Sequence, residues 1–211
     1  MTTVYYPTVA DLLERLGDIP PERVRLVPAP GHATGEDVLR VLELEDRLCE
    51  LVDGVLVEKP MGWYESTVAA ALIFFLKLYL RDRDLGVLSG PDGPARILPD
   101  RIRIPDVAFY LWHRFPDRKR PRERIPALVP DLAVEILSES NSPAEMDEKV
   151  EEYFRAGVSL VWLIDPASAS ARVFNSPADG RDAEGVLDGG RVLPGFRLGL
   201  AELFANAGPR P

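Results

Sequence analysis

The chain of 211 residues contains very few of the residues that build disulfides and zinc sites: one cysteine, Cys49, and two histidines, His32 and His113. A single cysteine excludes an internal disulfide, and isolated histidines give a zinc site almost no support. No signal-peptide pattern is visible, so we expect a cytoplasmic protein. The longest apolar run, 68–76, is far shorter than the roughly 20 residues that cross a bilayer, so no membrane association is expected.

Positive charge is also in deficit, with 25 Lys and Arg against 34 Asp and Glu and a net charge of -9. This balance argues against a protein that coats nucleic acid through bulk electrostatics. Segment 114–124 is the exception, with six cationic and two acidic residues. It is either a solvated surface loop or a local grip on a nucleic-acid backbone. The candidate nucleic-acid contacts are Arg118, Lys119, Arg120 and Arg122.

The composition, 46% hydrophobic and 28% charged, indicates one ordinary globular domain. In its first half, Thr8 is a candidate N-cap and Asp53-Gly54 is a strong hairpin turn. Hydrophobic periodicity and these turn residues predict helices at 8–16, 36–42 and 64–82, a hairpin at 49–57, and strands at 85–89 and 101–110.

The second half has a sharper pattern. An apolar strand is predicted at 132–137, and Ser142, Pro143 and Glu145 are the N-cap, first residue and capping-box partner of the next helix. Gly157 ends that helix, and a buried strand follows at 160–164. Strand, helix and strand form a βαβ unit. Segments 171–175, 185–187 and 191–193 predict a terminal antiparallel ribbon.

Two carboxylates stand out in this pattern. Glu135 interrupts an apolar strand, and burying it costs several kcal/mol unless a cation or strong donors compensate, of which a metal ion is the simplest. Asp106 follows Pro105, which marks a strand edge, bulge or distortion. If the two strands meet there, the pair offers the hard oxygen ligands that Mg²⁺ prefers.

Lys149 lies on the helix after Glu135, between Met146 and Tyr153 at helical spacing, so it sits at the border of the buried face. Its ammonium could reach the sheet. The alternative is a lysine with its stem on the core and its head in water, or one paired with a glutamate on its own helix. Periodicity alone favours that alternative.

The ordered set of these segments resembles the Uma-type restriction endonuclease family, a branch of the PD-(D/E)XK nuclease-like superfamily. The resemblance rests on ELVDG at 50–54, IPDVA at 104–108, PDLAVEILS at 130–138, EK at 148–149 and VWLIDP at 161–166. It implies a mixed α/β fold, a restriction-endonuclease-like αβββαβ core. Within a single domain, 1–211, the expected parts are N-terminal helices and hairpin at 6–58, a catalytic core at 63–166 and a C-terminal β-ribbon at 167–204.

By that resemblance Asp106 and Glu135 are catalytic metal ligands, and the backbone carbonyl of Ile136 is a third ligand. The sequence departs from the superfamily pattern at Leu137, where the general motif carries lysine. In this family the lysine is displaced to the following helix, and Lys149 occupies that place. The resemblance therefore reverses the preference from periodicity and makes Lys149 a catalytic residue.

Two further glutamates have weaker assignments. Glu65 resembles the helix glutamate that many nucleases of the superfamily place near the metal, although a glutamate favoured by the helix dipole is equally consistent. Glu50 matches the family's hairpin position, although a charge on a hairpin needs no function.

The implied function is hydrolysis of phosphodiester bonds in DNA by an endonuclease that depends on Mg²⁺ or Mn²⁺, with a homodimer as a candidate assembly. The competing class is a catalytically inactive module that keeps the nuclease fold for protein interaction or regulation. The acidic net charge and Leu137 favour the module, whereas the set of Asp106, Glu135 and Lys149 disfavours it. A metal-dependent phosphoesterase acting on nucleotides is a third, weaker alternative.

Overall fold

The structure is a computed structural model that describes residues 5–60 and 62–208. Its N-terminal part contains two helices and a hairpin, as the sequence predicts. The hairpin turns at Asp53 and Gly54, whose φ angles of 49° and 74° are those that an Asp-Gly pair favours. The elements of this part are α1 (Val9–Arg15), a 3-10 helix (Pro21–Arg23), β1 (Val24–Arg25), α2 (Gly35–Glu45), β2 (Cys49–Val52) and β3 (Val55–Glu58).

The middle of the chain differs from the prediction at 101–110. This segment forms two strands that belong to different sheets, and the chain passes from one sheet to the other at Pro105. The prediction of one continuous strand is wrong. Pro105 has no N–H to donate to a sheet ladder, so the strand is interrupted there. The elements here are α3 (Trp63–Leu80), β4 (Gly86–Ser89), β5 (Ala95–Leu98), β6 (Arg101–Arg103), β7 (Val107–Leu111) and 3-10 helices at Trp112–Arg114 and Pro116–Arg118.

The predicted βαβ unit is present in the last third of the chain. Its two strands pair in parallel, with Glu135 opposite Leu163. A helix connects them, as a parallel pair requires. The elements are β8 (Leu132–Ile136), α4 (Pro143–Ala156), β9 (Leu160–Asp165), β10 (Ser170–Phe174), β11 (Arg181–Asp182), β12 (Val186–Asp188), β13 (Arg197–Gly199) and α5 (Leu200–Ala207).

The C-terminal ribbon follows the prediction only in part. Strand β10 joins the main sheet beside β9, whereas β12 pairs with β13 in a separate two-stranded ribbon. Segment 191–193, predicted as a strand, is not one, and helix α5 was absent from the prediction. Because Leu193 and Leu203 are both fully buried in the main core, packing rather than strand pairing holds this region.

The structure confirms most of the predicted boundaries of α4. The hydroxyl oxygen of Ser142 accepts from the backbone N–H of Glu145 at 2.9 Å, Pro143 is the first residue, and Gly157 ends the helix at φ +98°. The predicted capping box is wrong, because the Glu145 carboxylate binds the guanidinium of Arg23 at 2.6 and 2.9 Å. The helix therefore uses its first-turn glutamate to hold the N-terminal part of the chain.

Helix α1 is fixed to the start of α4 by a close backbone approach. Its N-cap is Thr8, as predicted, which accepts from the N–H of Asp11 at 3.1 Å. At its C-terminal end, Gly17 has φ +76°, and an added Cβ would lie 2.5 Å from the nitrogen of Glu145. The Ser142 hydroxyl donates to the Gly17 carbonyl. Glycine is required at 17 for both the turn and the contact.

Two sheets organise these elements. The six-stranded sheet has the order β11-β10-β9-β8-β7-β4, and the five-stranded sheet has the order β1-β3-β2-β6-β5. The predicted αβββαβ core is therefore present as α3-β4-β7-β8-α4-β9, with β5 and β6 diverted into the second sheet. That second sheet takes strands from both sides of the expected boundary between 6–58 and 63–166, so the two parts share one sheet.

The two faces of the six-stranded sheet have separate apolar clusters. Val134 and Ile136 of β8 lie in the cluster of α3 and α5, whereas Ala133 lies in the cluster of α4. Because side chains alternate along a strand, Glu135 faces α4 together with Ala133. This alternation brings the carboxylate of β8 toward the side chains of α4.

Helix α3, at 18 residues, is long and apolar enough to cross a membrane by length and composition alone. Its fully buried residues, such as Val68, Leu72 and Leu76, lie in the main core cluster with β7, β8 and α5. A core helix of a globular domain can have the same length and composition, so length and composition do not distinguish a core helix from a membrane-spanning one. Phe74 and Leu78 on its other side are about half exposed.

Candidate active site

Asp106 is held against the C-terminal end of β8 by both its backbone and its side chain. Its backbone N–H donates to the carbonyl of Val134 at 3.0 Å. Its Oδ2 accepts from the N–H of Ile136 at 2.7 Å. These two bonds fix the Asp106 carboxylate next to Glu135, since Val134 and Ile136 flank that residue in the chain. The predicted meeting of the two carboxylate-bearing segments is therefore present.

Glu135 is only 4% exposed and already has two partners from α4. Its Oε2 lies 3.2 Å from Nζ of Lys149, and its Oε1 accepts from the hydroxyl of Tyr153. Burial raises the pKa of Glu135, the negative charges of Asp106 and Glu50 add to the rise, and Lys149 opposes it. The compensation that a buried carboxylate requires thus comes from the chain itself, so the burial of Glu135 does not by itself imply a metal.

Lys149 turns inward from α4 and is 2% exposed. Its Nζ lies 3.2 Å from Glu135 and 3.3 Å from Glu50. The alternative of a lysine with its head in water, or paired with a glutamate of its own helix, is wrong. Burial alone would lower the pKa of Lys149, but the charges of Glu135 and Glu50 outweigh it and raise the pKa above 10.5. The side chain is therefore a permanent ammonium at neutral pH.

Lys59, which the sequence analysis did not single out, contacts the other carboxylate. Its Nζ lies 2.9 Å from Oδ1 of Asp106, and it donates to the carbonyls of Ile104 at 2.6 Å and Pro91 at 3.1 Å. The side chain is 6% exposed. A lone lysine after strand β3 carries no periodic pattern that would have indicated this position. Asp106 and Glu135 thus each have a lysine of the chain beside them.

Glu50 connects the hairpin to this group and is 1% exposed. Its carboxylate accepts from the N–H of Ile104 at 3.0 Å and from Arg103 at 2.7 Å, in addition to its ion pair with Lys149. Burial opposes ionisation, but Lys149 and Arg103 outweigh it and hold the pKa of Glu50 well below 4.5. Glu50 therefore lies behind Lys149 as a permanent anion.

A row of buried ion pairs continues from Glu50 between the five-stranded sheet and α4. Arg103 binds Glu152 at 2.5 Å, Glu152 binds Arg101 at 2.6 Å, and Arg101 binds Asp53 at 2.5 and 2.8 Å. All four side chains are less than 10% exposed. The alternating arginines of β6 are too short a pattern to recognise in the sequence. This row fixes the helix that carries Lys149 against the hairpin that carries Glu50.

A cavity of about 640 Å³ opens beside the two carboxylates. Lys149 lines it, and so do all four predicted metal-binding residues: Asp106, Glu135, Ile136 and Glu65. Glu65 lies in the first turn of α3 with its Oε2 against Gly62, where an added Cβ would lie 1.7 Å away. Among residues 5–60 and 62–208 no group of three His, Cys, Asp or Glu side chains is arranged to hold a metal ion. Two fixed carboxylates, the Ile136 backbone and Glu65 are thus oxygen donors at this cavity, and Asp92 adds a further carboxylate to its lining.

The basic segment lies elsewhere. Arg118 pairs with Asp84 and stacks over the ring of Trp112 at 4.5 Å, and Lys119 lies 3.7 Å from Asp117. Neither these two nor the other predicted nucleic-acid contacts, Arg120 and Arg122, line the cavity. Their role as a grip on a nucleic-acid backbone stays a prediction, and it would concern a part of the substrate outside the cavity.

The mixed sheet between helices forms a nuclease-like fold, with Asp106 before one central strand, Glu135 near the end of the next and Lys149 beside Glu135. Leu137, where the general motif carries lysine, packs instead into the apolar cluster of α4. The chain belongs to the Uma2 family, described as "Putative restriction endonuclease", which matches residues 36–203.

A solved structure supports the same fold. A "putative nuclease belonging to DUF820" from Anabaena variabilis ATCC 29413 superposes with a TM-score of 0.67 at 19% sequence identity. The match covers 77% of this chain and 92% of the other. No curated protein sequence matches this chain. The restriction-endonuclease-like fold inferred from the sequence is confirmed, and the family indicates nuclease function.

Proposed function

We propose that this protein is a metal-dependent endonuclease that hydrolyses phosphodiester bonds in DNA. One observation carries the proposal: Asp106 and Glu135, from neighbouring segments of the sheet, line one cavity together with Lys149, whose amine lies 3.2 Å from Glu135. Burying the charge of Lys149 costs free energy. Apolar packing of α4 therefore does not explain why a lysine occupies this position. A cytoplasmic location and a homodimeric assembly belong to the same proposal.

Mg²⁺ or Mn²⁺ fits the donor chemistry of the cavity. Asp106, Glu135, the carbonyl of Ile136 and Glu65 would supply the hard oxygen ligands that these ions prefer. When bound, the ion would lower the pKa of a water molecule and neutralise charge on the phosphoryl oxygens. Lys59 occupies Oδ1 of Asp106, so binding at that atom requires the carboxylate to exchange its lysine contact for the ion.

The surrounding residues then have distinct roles. The charges of Glu135 and Glu50 raise the pKa of Lys149, which favours its ammonium form over a role as general base. It instead orients the nucleophile or stabilises the negative charge that develops on the phosphoryl group. Tyr153, whose pKa burial and Glu135 raise well above 10, remains a hydrogen-bond donor that fixes the Glu135 carboxylate. Glu50 positions Lys149 from behind.

The direct test is cleavage of supercoiled plasmid and single-stranded DNA by the parent protein and by Asp106→Asn, each with Mg²⁺ or Mn²⁺. We expect the variant to lose roughly 100-fold or more of the rate, the scale of a lost electrostatic group in an active site. Asp82→Asn, which alters an exposed carboxylate outside the cavity, is the matched control. If the parent leaves both substrates intact, or if Asp106→Asn cleaves like the parent, the proposal is wrong.

The second candidate is the inactive nuclease-fold module for protein interaction or regulation. Its specific support is the charge balance of the site, because Lys59, Lys149 and Arg103 already neutralise Asp106, Glu135 and Glu50. Calorimetric titration with Mn²⁺ separates the two functions. Heat that disappears in Glu135→Gln supports the nuclease, whereas no heat from the parent protein supports the module.

A further inference from the structure

We propose that Trp63 is a stacking platform for one unpaired nucleobase of the substrate, held beside the cavity that contains Asp106 and Glu135. The inference deepens the proposed nuclease function, because it names the form of nucleic acid that the site accepts. It rests on the exposure of the indole, the mixed chemistry of the cavity and the dimensions of the cavity.

Trp63 is 84% exposed at the start of α3, although an indole normally buries 150–250 Å² of surface. The rings of the other two tryptophans are covered within the protein: Trp162 is fully buried and stacks on Phe196, and the Trp112 ring lies under the guanidinium of Arg118. Trp63 nevertheless lines the cavity. A large aromatic face is therefore available to a ligand at the mouth of the site.

The remaining walls of the cavity match the two parts of a nucleotide. Leu48, Pro60 and Pro91 add apolar surface to the lining of the same cavity, and Asp92 lies there together with the charged residues already described. A nucleotide presents an apolar π-face on its base and a charged phosphate on its backbone. A peptide or lipid of purely apolar character would leave the charged wall unused.

The segment that carries Trp63 also reaches the carboxylates. Lys59 contacts Asp106 through its amine. Trp63 follows Lys59 by four residues, so the Cα atoms of Lys59 and Trp63 are at most about 14 Å apart. A base stacked on the indole would thus lie close to the phosphate that occupies the cavity. The geometry assigns Trp63 to a nucleotide adjacent to the scissile bond.

A base that stacks on the indole must leave the double helix, because neighbouring bases cover both of its faces there. A volume of about 640 Å³ is that of a small-molecule site, and it has no room for a double helix. Proteins that bind single strands use aromatic side chains in this way, and the stacking tolerates every base because each has a π-face. The platform therefore recognises strandedness and carries no sequence information.

The test measures binding without cleavage, in EDTA, by fluorescence anisotropy with a labelled oligo-dT 12-mer and with a duplex of the same length. We expect Trp63→Ala to weaken oligo-dT binding by roughly 5- to 150-fold, the range for one lost base stack, and to change duplex binding less than about twofold. Trp63→Phe, which keeps a smaller ring, should lie between. Tyr5→Ala, at another exposed aromatic outside the cavity, is the matched control.

Intrinsic fluorescence gives a second readout. Oligo-dT should quench the parent protein, and most of that quenching should vanish in Trp63→Phe. The inference is overturned if the parent does not bind oligo-dT, if Trp63→Ala binds oligo-dT like the parent, or if duplex and single strand weaken equally. Because metal is absent, a protein that binds through Trp63 but never cleaves DNA would refute the nuclease proposal alone.

Discussion

Replacing Lys149 by methionine should reveal how strongly the buried charges depend on one another. The variant removes the amine that lies 3.2 Å from Glu135 and 3.3 Å from Glu50, both of which are almost completely buried. Methionine keeps most of the volume of the side chain, so a cavity contributes little. The change in stability then reports the loss of a buried cation.

The magnitude follows from what each carboxylate retains. Glu50 keeps Arg103 and the N–H of Ile104, whereas Glu135 keeps only the Tyr153 hydroxyl among the bonds described. Breaking one side of a buried pair costs about 3–5 kcal/mol. We expect about 4 kcal/mol for Lys149→Met at pH 8, most of it from Glu135.

The loss should depend on pH in a defined direction. The folded-state pKa of Glu135 is already raised above 4.5 by burial, and removing Lys149 raises it further. A carboxyl with a raised folded pKa binds its proton more tightly when folded, so it stabilises the fold below that pKa and destabilises it above. The cost of Lys149→Met should therefore be smaller at pH 5 than at pH 8.

Urea unfolding followed by circular dichroism measures these quantities for the parent, Lys149→Met, Glu135→Gln and the double variant. Removing the carboxylate together with the cation should recover about 2 kcal/mol relative to the sum of the single changes. A loss below about 1 kcal/mol at pH 8, or strict additivity in the double variant, would refute the reasoning that these two charges stabilise each other.

Three further predictions concern the neighbouring charges. Lys59→Met should tighten Mn²⁺ binding measured by calorimetry, because Oδ1 of Asp106 no longer has a lysine partner; weaker binding would contradict the competition. Glu152→Gln should lower the urea stability by about 3 kcal/mol, since it leaves buried Arg103 short of an anion. Because the folded pKa of Glu50 is lowered, its contribution to stability is present above about pH 4.5 and is lost as the pH falls toward its folded pKa. The slope of stability against pH below 4.5 should flatten in Glu50→Gln, and an unchanged slope would count against this assignment.

Local chemistry made much of the fold predictable. Thr8 and Ser142 cap their helices, Asp53-Gly54 forms the predicted turn, and Gly157 ends α4, because each depends on residues within a few positions. The segment 101–110 was misassigned for the opposite reason. Strand-forming residues lie on both sides of Pro105, but the sheet to which each half belongs is decided by strands distant in the sequence.

In the candidate site, too, contacts between residues close in the sequence could be predicted, and contacts between distant residues could not. Glu135 and Lys149 are 14 residues apart within one βαβ unit, so strand alternation and helical spacing bring them together. Lys59 and Asp106 meet because β2 pairs with β6 across the five-stranded sheet, and no local pattern predicts that pairing. Glu50 of β2 and Lys149 of α4 likewise meet although they are far apart in the sequence. Lys59, Arg101 and Arg103, which the sequence analysis missed, are positioned by the second sheet.

This second sheet also bears on which of the two functions the site performs. A buried carboxylate requires compensation, but the requirement does not specify whether a metal or a lysine provides it. For Asp106 the compensating group is Lys59, which follows β3 and contacts Asp106 where β6 leads toward β7. If Mn²⁺ displaces that lysine, the carboxylates act as a metal clamp and the nuclease reading follows. If the ion pair persists against the metal, the same contact completes the site without an ion, and the fold serves as an interaction module.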